Sequence, residues 1–375
     1  MRVLYIKPCS WGSEDLCGDS RSLMDMIHSV KGEVEPIVLL PHRSKTYETF
    51  VRDGIRCVTH PFSDVFVGRF LFFPPWLTRI AKCLCYDIPC LLFLIRFIRK
   101  EHIDLVHTNS SATTLGWALQ RITGIKHVWH IREYADPFHY HPIAIGRERL
   151  KRRINHADAR IVCSFACKDF WGLKESGTRA ILDAVRSVQD CCYVREKQPY
   201  ILFCSHWVNE DKGAFAALRA FALSGLAGRG TRLRFVGNMS ESVHNALISM
   251  AEEHSCADSV DCIPLQDDVK PLFSNAMAYL QPSVNEGMGR TTAEAMFYGC
   301  PVIAHASGGT LDLVEHGRTG WLFKTVEECA GLLETVCSTD QEQVIQRALE
   351  FARNELSVEN YGGKLLSVYR TVLGK

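Results

Sequence analysis

The sequence predicts an α/β protein built as two Rossmann-like domains, on three observations. Short apolar, β-rich runs alternate with helix-length segments through the whole chain, the pattern of parallel sheets covered by helices on both faces. The alternation is interrupted once, near Asp190–Pro199. The halves on either side also differ in charge. Residues 1–195 carry 28 Lys+Arg against 20 Asp+Glu, a balance of +8, and residues 196–375 carry 15 against 22, a balance of −7. The formal net charge of +1 hides that asymmetry, and 375 residues are ample for two domains.

In the first half the runs that read as strands are Val3–Lys7, Glu35–Leu40, Ile103–His107, His127–His130 and Arg160–Ser164. In the second half they are Tyr200–Cys204, Arg232–Val236, Val260–Ile263, Ala278–Gln281 and Val302–Ala304. Helical periods fall between them at Ser20–Val30, Ala112–Ile122, Gly213–Ala222, Ser242–His254 and Thr291–Tyr298. Two such sets predict domains that face each other, with ligands bound at the carboxyl ends of the strands. No short-period repeat and no low-complexity tract interrupts the pattern.

Composition narrows the function. Hydrophobic residues make up 47% and charged residues 23%, the balance of a globular protein. The near-zero net charge argues against a general nucleic-acid partner. Sixteen cysteines, among them Cys83, Cys85, Cys90, Cys163 and Cys204, sit mostly in apolar runs without a Cys-x-x-Cys pair, which reads as reduced thiols in a cytoplasmic protein. The apolar start Met1–Ile6 is too short for a signal peptide, and no apolar run approaches the ~20 residues of a membrane helix. Residues Phe70–Lys100 are very apolar and dotted with Arg79, Lys82, Arg96, Arg99 and Lys100. They read either as a buried helix with charges at its rim or as a face that lies on an anionic membrane. A second basic cluster, Gly146–Arg153, reads as a solvated helix face.

The chemistry concentrates in one stretch. A loop with Glu286, Gly287, Met288, Gly289 and Arg290 follows the Ala278–Gln281 strand and opens a helix that carries Glu294. Small residues let backbone N–H groups approach a phosphate or sugar, and a helix N-terminus favours negative charge. Carboxylates accept hydrogen bonds from paired hydroxyls. A second tight loop, Ser307-Gly308-Gly309-Thr310, follows the next strand.

A Glu-x7-Glu pair alone carries little information. The longer run of Glu286-x7-Glu294, Ala295-Met296, Gly299-x-Pro301-Val302, Gly308-Gly309 and Gly317-Arg-Thr-Gly320-Trp-Leu closely resembles the signature of family-4 glycosyltransferases, over nearly all of residues 199–335. The resemblance implies the GT-B fold, an acceptor-binding domain at 1–195, a donor-binding domain at 196–355, and a C-terminal helix at 356–375 that packs back toward the first domain. It implies that Glu294 holds the donor ribose, that Glu286 lies near the donor sugar, and that the Gly287–Gly289 amides approach the sugar and diphosphate. It also implies a phosphate-binding pair after the first strand of the second domain. Lys212, in Asp211-Lys212-Gly213, matches the family's lysine; its usual arginine is replaced by His206 or Trp207. A neutral histidine stabilises a departing diphosphate less than a guanidinium does.

The first half matches in scattered places. Cys9–Gly18, with Gly12, resembles the loop whose backbone touches the donor phosphate, although Gly-x-Gly-x-x-Gly is absent. His107 and His130 close strands and so point toward the ligand side; His130-Ile-Arg132-Glu133 resembles the region that holds an active-site histidine. Arg132 and Glu133 read as acceptor ligands or as a mutual ion pair. No Asp-x-Asp occurs, which suits a leaving group stabilised without a metal or other cofactor.

The resulting expectation is a retaining enzyme that moves a sugar from a nucleotide-diphosphate sugar to a hydroxyl of a glycan or lipid-linked acceptor in bacterial surface polysaccharide synthesis. His130, Lys212 and Glu286 are the expected catalytic residues. The enzyme is expected in the cytoplasm or peripherally on the inner membrane face. Rival readings are an epimerase or glycan phosphorylase on the same fold, or a catalytically weak binding homologue.

Overall fold

The computed structural model describes residues 1–8, 18–65, 75–134, 143, 145–284 and 286–375. They form two compact units: Met1–Ala184 with Glu359–Lys375, and Val185–Val358. The sequence placed the break at 195/196. Residues 185–197 belong to the second unit because their hydrogen bonds go there. The Cys192 N–H donates to the Phe297 carbonyl (3.1 Å) and the Lys197 ammonium to the Ser274 and Gly299 carbonyls (2.7 and 2.8 Å).

The first unit runs β1 (Arg2–Ile6), α1 (Gly18–Ser29), β2 (Glu35–Leu40), α2 (Lys45–Arg52), β3 (Arg56–Thr59), α3 (Pro75–Lys82), a π-helical turn (Cys83–Asp87), α4 (Ile88–Lys100), β4 (Leu105–Asn109), α5 (Leu115–Thr123), β5 (Lys126–Ile131), α6 (Arg147–Ile154), β6 (Ala159–Val162), α7 (Phe165–Trp171) and β7 (Thr178–Ala180). The second runs β8 (Gln198–Trp207), α8 (Ala214–Leu223), β9 (Arg232–Asn238), α9 (Glu241–Glu253), β10 (Val260–Ile263), α10 (Lys270–Asn275), β11 (Ala276–Gln281), α11 (Arg290–Phe297), β12 (Val302–His305), α12 (Thr310–Leu313), β13 (Trp321–Phe323), α13 (Val326–Ser338) and α14 (Glu342–Glu355). Helix α15 (Val358–Leu373) returns the chain to the first unit.

Both sheets are parallel throughout. The first has the order β3-β2-β1-β4-β5-β6-β7 and the second β10-β9-β8-β11-β12-β13. Strand order therefore reverses between β1 and β4 in one unit and between β8 and β11 in the other. Loops leaving the carboxyl ends at such a switch point diverge and leave a crevice, where ligands bind on folds of this kind. The expected α/β class with two Rossmann-like domains is what the chain adopts.

Apolar strands buried on both faces explain why these runs lack strict alternation. In the second unit Ile201, Phe203, Leu233, Phe235, Ala278, Leu280 and Ile303 pack under α8, α9 and α13. In the first, Leu4, Ile6, Ile37, Leu39 and Val106 pack against Cys90, Leu94 and Ile98 of α4. That stripe is the only part of the Phe70–Lys100 stretch found buried among its described residues. Leu77, Ile80, Tyr86 and Ile88 are exposed, as are Leu84 (59%) and Leu92 (53%). Residues 70–74 lie outside the described residues. The second basic cluster also differs from expectation. On α6, the Arg147 guanidinium lies 4.0 Å from the centre of the Phe170 ring and that of Arg153 lies 4.4 Å from the Trp117 ring, so two of its cations are stacked rather than solvated. The fourteen described cysteines are all free thiols.

Helix α15 buries Tyr361, Gly362, Leu365 and Tyr369, a single stripe at helical spacing. At Gly362 a β-carbon would stand 2.0 Å from the Ser29 carbonyl oxygen at the end of α1. Three histidines lie fully buried in the first sheet: His107 in β4, and His127 and His130 in β5. Burial drives all three toward the neutral form. His127 falls to about 3, and His107 and His130 fall well below the usual histidine range, helped by the Arg132 charge.

Two outcomes follow from this packing. Gly362→Ala destabilises the first unit by about 2 kcal/mol, because a backbone carbonyl cannot step aside. The ~1 kcal/mol of helix propensity that alanine adds is too small to offset this. Urea unfolding of the variant checks it. The histidines make stability fall with pH. Below about pH 6.5 the unfolded chain takes up protons that the folded histidines refuse, at up to about 1.4 kcal/mol per pH unit each. Between pH 7.5 and 5.5 the three together remove up to about 4 kcal/mol, and His107→Gln reduces that dependence by about a third. Unfolding curves at the two pH values measure both.

Candidate functional site

The densest group of expected site residues lies at the carboxyl ends of β8, β11 and β12, at the switch point of the second sheet. Strand β11 ends at Gln281, and Ser283 follows, buried. Glu286–Gly289 then turn into α11, with Gly289 in the left-handed region (φ +94°) as the last residue before the helix. The Tyr279 hydroxyl on β11 donates to Thr291 Oγ1 (2.7 Å) and ties the first turn of α11 to the strand.

The two glycine-bearing loops lie backbone against backbone. The Gly309 N–H donates to the Glu286 carbonyl (2.8 Å). A β-carbon at Gly309 would stand 2.2 Å from the Gly287 oxygen and 2.7 Å from Met288 Cα. Met288 is itself buried, which leaves its backbone rather than its side chain to meet a ligand.

The loop after β8 brings in the cation. Asn209 Oδ1 accepts from the Lys212 N–H (3.0 Å) and shapes the turn. Gly213 (φ +78°) sits against Pro282, whose Cγ would lie 2.8 Å from an added β-carbon. Lys212 Nζ thereby reaches Glu286 Oε1 at 2.8 Å. The Ser283 hydroxyl also donates to Glu286. The Lys212 side chain is 36% exposed, so this pair adds at most about 1 kcal/mol to stability. It holds an ammonium and a carboxylate beside the Gly287–Gly289 backbone.

Glu294 sits deeper, 7% exposed, on α11. Its Oε1 accepts from Arg186 Nη2 (2.8 Å) and lies 3.8 Å from Arg290 Nε. Arg290 also donates to the Val185 carbonyl (3.1 Å). The sequence did not single out Arg186; its partner is 108 positions away. His206 does not lie in a loop, as expected, but in β8. The strand continues past Cys204 to Trp207 through a register shift, which Gly237 of β9 permits, since a β-carbon there would stand 2.0 Å from the Ser205 oxygen. Gly12 lies outside the described residues.

In the first unit the expected residues form a buried polar cluster. His107 and His130 do not close their strands: β4 continues to Asn109 and β5 to Ile131. His107 Nδ1 and the Tyr369 hydroxyl are 2.7 Å apart, and that hydroxyl donates to Tyr5 (3.2 Å). His130 Nδ1 lies 3.3 Å from Arg132 Nη2, and its Nε2 lies 3.7 Å from Asp183 Oδ1. The Arg132 guanidinium pairs with Asp183 and donates through Nε to Asn109 Oδ1 (2.9 Å). Burial opposes its charge most strongly, but Asp183, Tyr361 and Cys163 together outweigh it and raise its pKa.

Arg132 and Glu133 do not form a side-chain ion pair. Glu133 accepts from the Ser110 hydroxyl (2.7 Å), the Ser111 N–H (2.5 Å) and hydroxyl (2.7 Å), and the Arg132 N–H (3.1 Å). It staples the loop after β4. Asp183 was also missed, although a lone acid between Ile181-Leu182 and Ala184-Val185 is a readable signal of a buried partner.

Known proteins resemble the chain in two ways. The family described as "Glycosyl transferases group 1" matches residues 193–350. An uncharacterised glycosyltransferase of Haemophilus influenzae is 30% identical over 145 residues, covering 38% of this chain and 39% of that protein. The glycogen synthase of Thermus thermophilus is 30% identical over 179 residues, 47% of this chain and 40% of the synthase. The chain thus spans about two-fifths of the length of these relatives. Across 99% of the chain and 100% of the other, the fold superposes on that of Anabaena HepE in complex with UDP, with a TM-score of 0.80 and 17% identity. The chain has the GT-B fold, and its residues 193–350 match the model of the group 1 glycosyl transferases.

Proposed function

We propose that the chain is a retaining glycosyltransferase, with the donor nucleotide-diphosphate sugar bound by the second unit and a glycan or lipid-linked acceptor by the first. The observation that carries the reading is the meeting of three loops after β8, β11 and β12. There Lys212 and Glu286 stand 2.8 Å apart beside the Gly287–Gly289 and Gly308-Gly309 backbones. HepE, which shares the fold, has been crystallised with UDP-glucose.

The residues divide the work. Glu294 takes the ribose hydroxyls. The loop amides and Lys212 take the diphosphate, with Lys212 drawn from Glu286 toward the greater charge. Glu286, held by Ser283, faces the sugar. The bond between the anomeric carbon and the phosphate oxygen breaks, and its electron pair leaves with the nucleoside diphosphate. The acceptor hydroxyl attacks from the same face and passes its proton to the departing phosphate oxygen. His130, fully buried, braces the acceptor side of the first unit as a neutral group. We assign no protein nucleophile and no metal: positioning and the electrostatics of Lys212, the amides and the α11 terminus lower the barrier.

The acceptor side suits a membrane. No helix among the described residues is long and apolar enough to cross one. Instead the exposed Leu77, Ile80, Leu84, Tyr86, Ile88 and Leu92 lie beside Arg96, Arg99 and Lys100, a face that fits an anionic surface such as the inner leaflet of a bacterial membrane, while Arg79 and Lys82 are paired with Asp87 and Asp64. A lipid-linked intermediate of a surface polysaccharide is the acceptor class that this face brings within reach.

Two experiments test the reading. With donor and acceptor supplied, nucleoside diphosphate accumulates only when both are present, and Lys212→Ala and Glu294→Ala each lower turnover by about two orders of magnitude through loss of a charge-assisted contact. Turnover near that of the parent in both would remove the site assignment. Second, the protein sediments with phosphatidylglycerol vesicles at ~10 mM salt and is released at ~1 M, where charge attraction is screened over about 3 Å. Binding that ignores salt, or none at all, excludes the basic face as a membrane anchor.

A further inference from the structure

The chain crosses from the first unit to the second at Ala184/Val185 and back at Val358/Glu359. These two crossing stretches are bonded to each other. The Val185 N–H donates to the Leu356 carbonyl and the Val358 N–H to the Arg186 carbonyl, both at 3.0 Å, so that Arg186 and Ser357 form a parallel bridge. The backbone of Arg186 therefore has a fixed origin. Its side chain reaches α11 at two points one helical turn apart: Nε donates to the Tyr298 hydroxyl (2.6 Å) and Nη2 to Glu294 Oε1 (2.8 Å).

A guanidinium anchored at both ends fixes the direction of the carboxylate it holds. It occupies one oxygen of Glu294. A carboxylate has about four acceptor positions, so hydroxyl donors can be added without displacing the arginine. We infer that Arg186 is a positioning residue that holds Glu294 for the paired ribose hydroxyls of a nucleoside-diphosphate donor. The inference rests on the donor reading above and adds that the affinity for the ribose is set from the crossing stretch. A carboxylate already held in one rotamer loses less freedom when the ribose arrives. An Arg186 that merely braced the fold would serve every ligand of the second unit alike.

That difference is measurable by calorimetry on the full chain with three probes: UDP, 2′,3′-dideoxy-UDP and inorganic pyrophosphate. In Arg186→Met, UDP binds about tenfold more weakly, the usual scale for one charge-assisted hydrogen bond. Dideoxy-UDP and pyrophosphate, which lack the paired hydroxyls, bind within about twofold of the parent values. Arg186→Lys restores part of the UDP affinity and covers the case in which the methionine variant fails to fold. Unchanged UDP affinity in the methionine variant, or an equal loss for pyrophosphate, overturns the assignment. A parent protein that binds none of UDP, GDP and ADP overturns the donor reading itself, and this inference with it. Binding of GDP or ADP instead moves the same comparison to their dideoxy forms.

Discussion

Two peptide backbones in the second unit touch, and the candidate site hangs on that contact. Gly309 donates to the carbonyl of Glu286 at a separation that leaves no room for a β-carbon. A side chain there would push the loop after β12 away from the loop after β11. The amides of Gly287 and Met288 would turn, and Glu286 would lose its place opposite Lys212. Gly213 makes the matching approach from the third side, against Pro282. Three loops from three strands are thus set at van der Waals distance by the absence of side chains. Loops set this way hold their backbone groups in fixed orientation, the preorganisation on which electrostatic stabilisation depends.

Charge in the two units is handled differently. In the second, Lys212 and Glu286 stand part-exposed, where screening keeps their mutual attraction modest and leaves them able to exchange partners, while Glu294 lies deeper with Arg186. In the first, the polar groups are sealed. Arg132, Asp183, Asn109 and His130 form one buried group and Tyr5, Tyr369 and His107 another, with the two histidine rings 5.5 Å apart between them, and the histidines stay neutral because burial disfavours their charge. Such a network is costly to break in part, since each lost bond strands a desolvated partner. The first arrangement suits a charged, transient ligand; the second suits a fixed scaffold behind neutral hydroxyl recognition.

The sequence made every inner strand legible and, of the four edge strands, only β10. The missed strands, β3, β7 and β13, are each a sheet edge and only three or four residues long. An edge strand buries less, so its apolar signal is weaker. The ends of β4 and β5 were read too early because Thr108, Asn109 and the histidines look like exits to solvent. In the fold they are buried, with Thr108 bonded to His127 at 2.8 Å. Glu286, Glu294 and Lys212 stood out because each lies in a run of characteristic residues, although Lys212 meets Glu286 across 74 positions. Arg186 and Asp183 were not, because each draws its meaning from a partner 108 or 51 positions away. The domain boundary slipped for the same reason: the stretch that looked like a linker is fastened to α11.

The first unit is discontinuous and the second is not. Tyr369, which holds His107, and Gly362, which rests on the end of α1, come from the last seventeen residues of the chain, 359–375. Synthesis delivers residues 1–184 first and their final helix last. The inserted unit can complete its sheet as soon as it emerges, whereas the first waits with Tyr5 and His107 uncovered until α15 has followed.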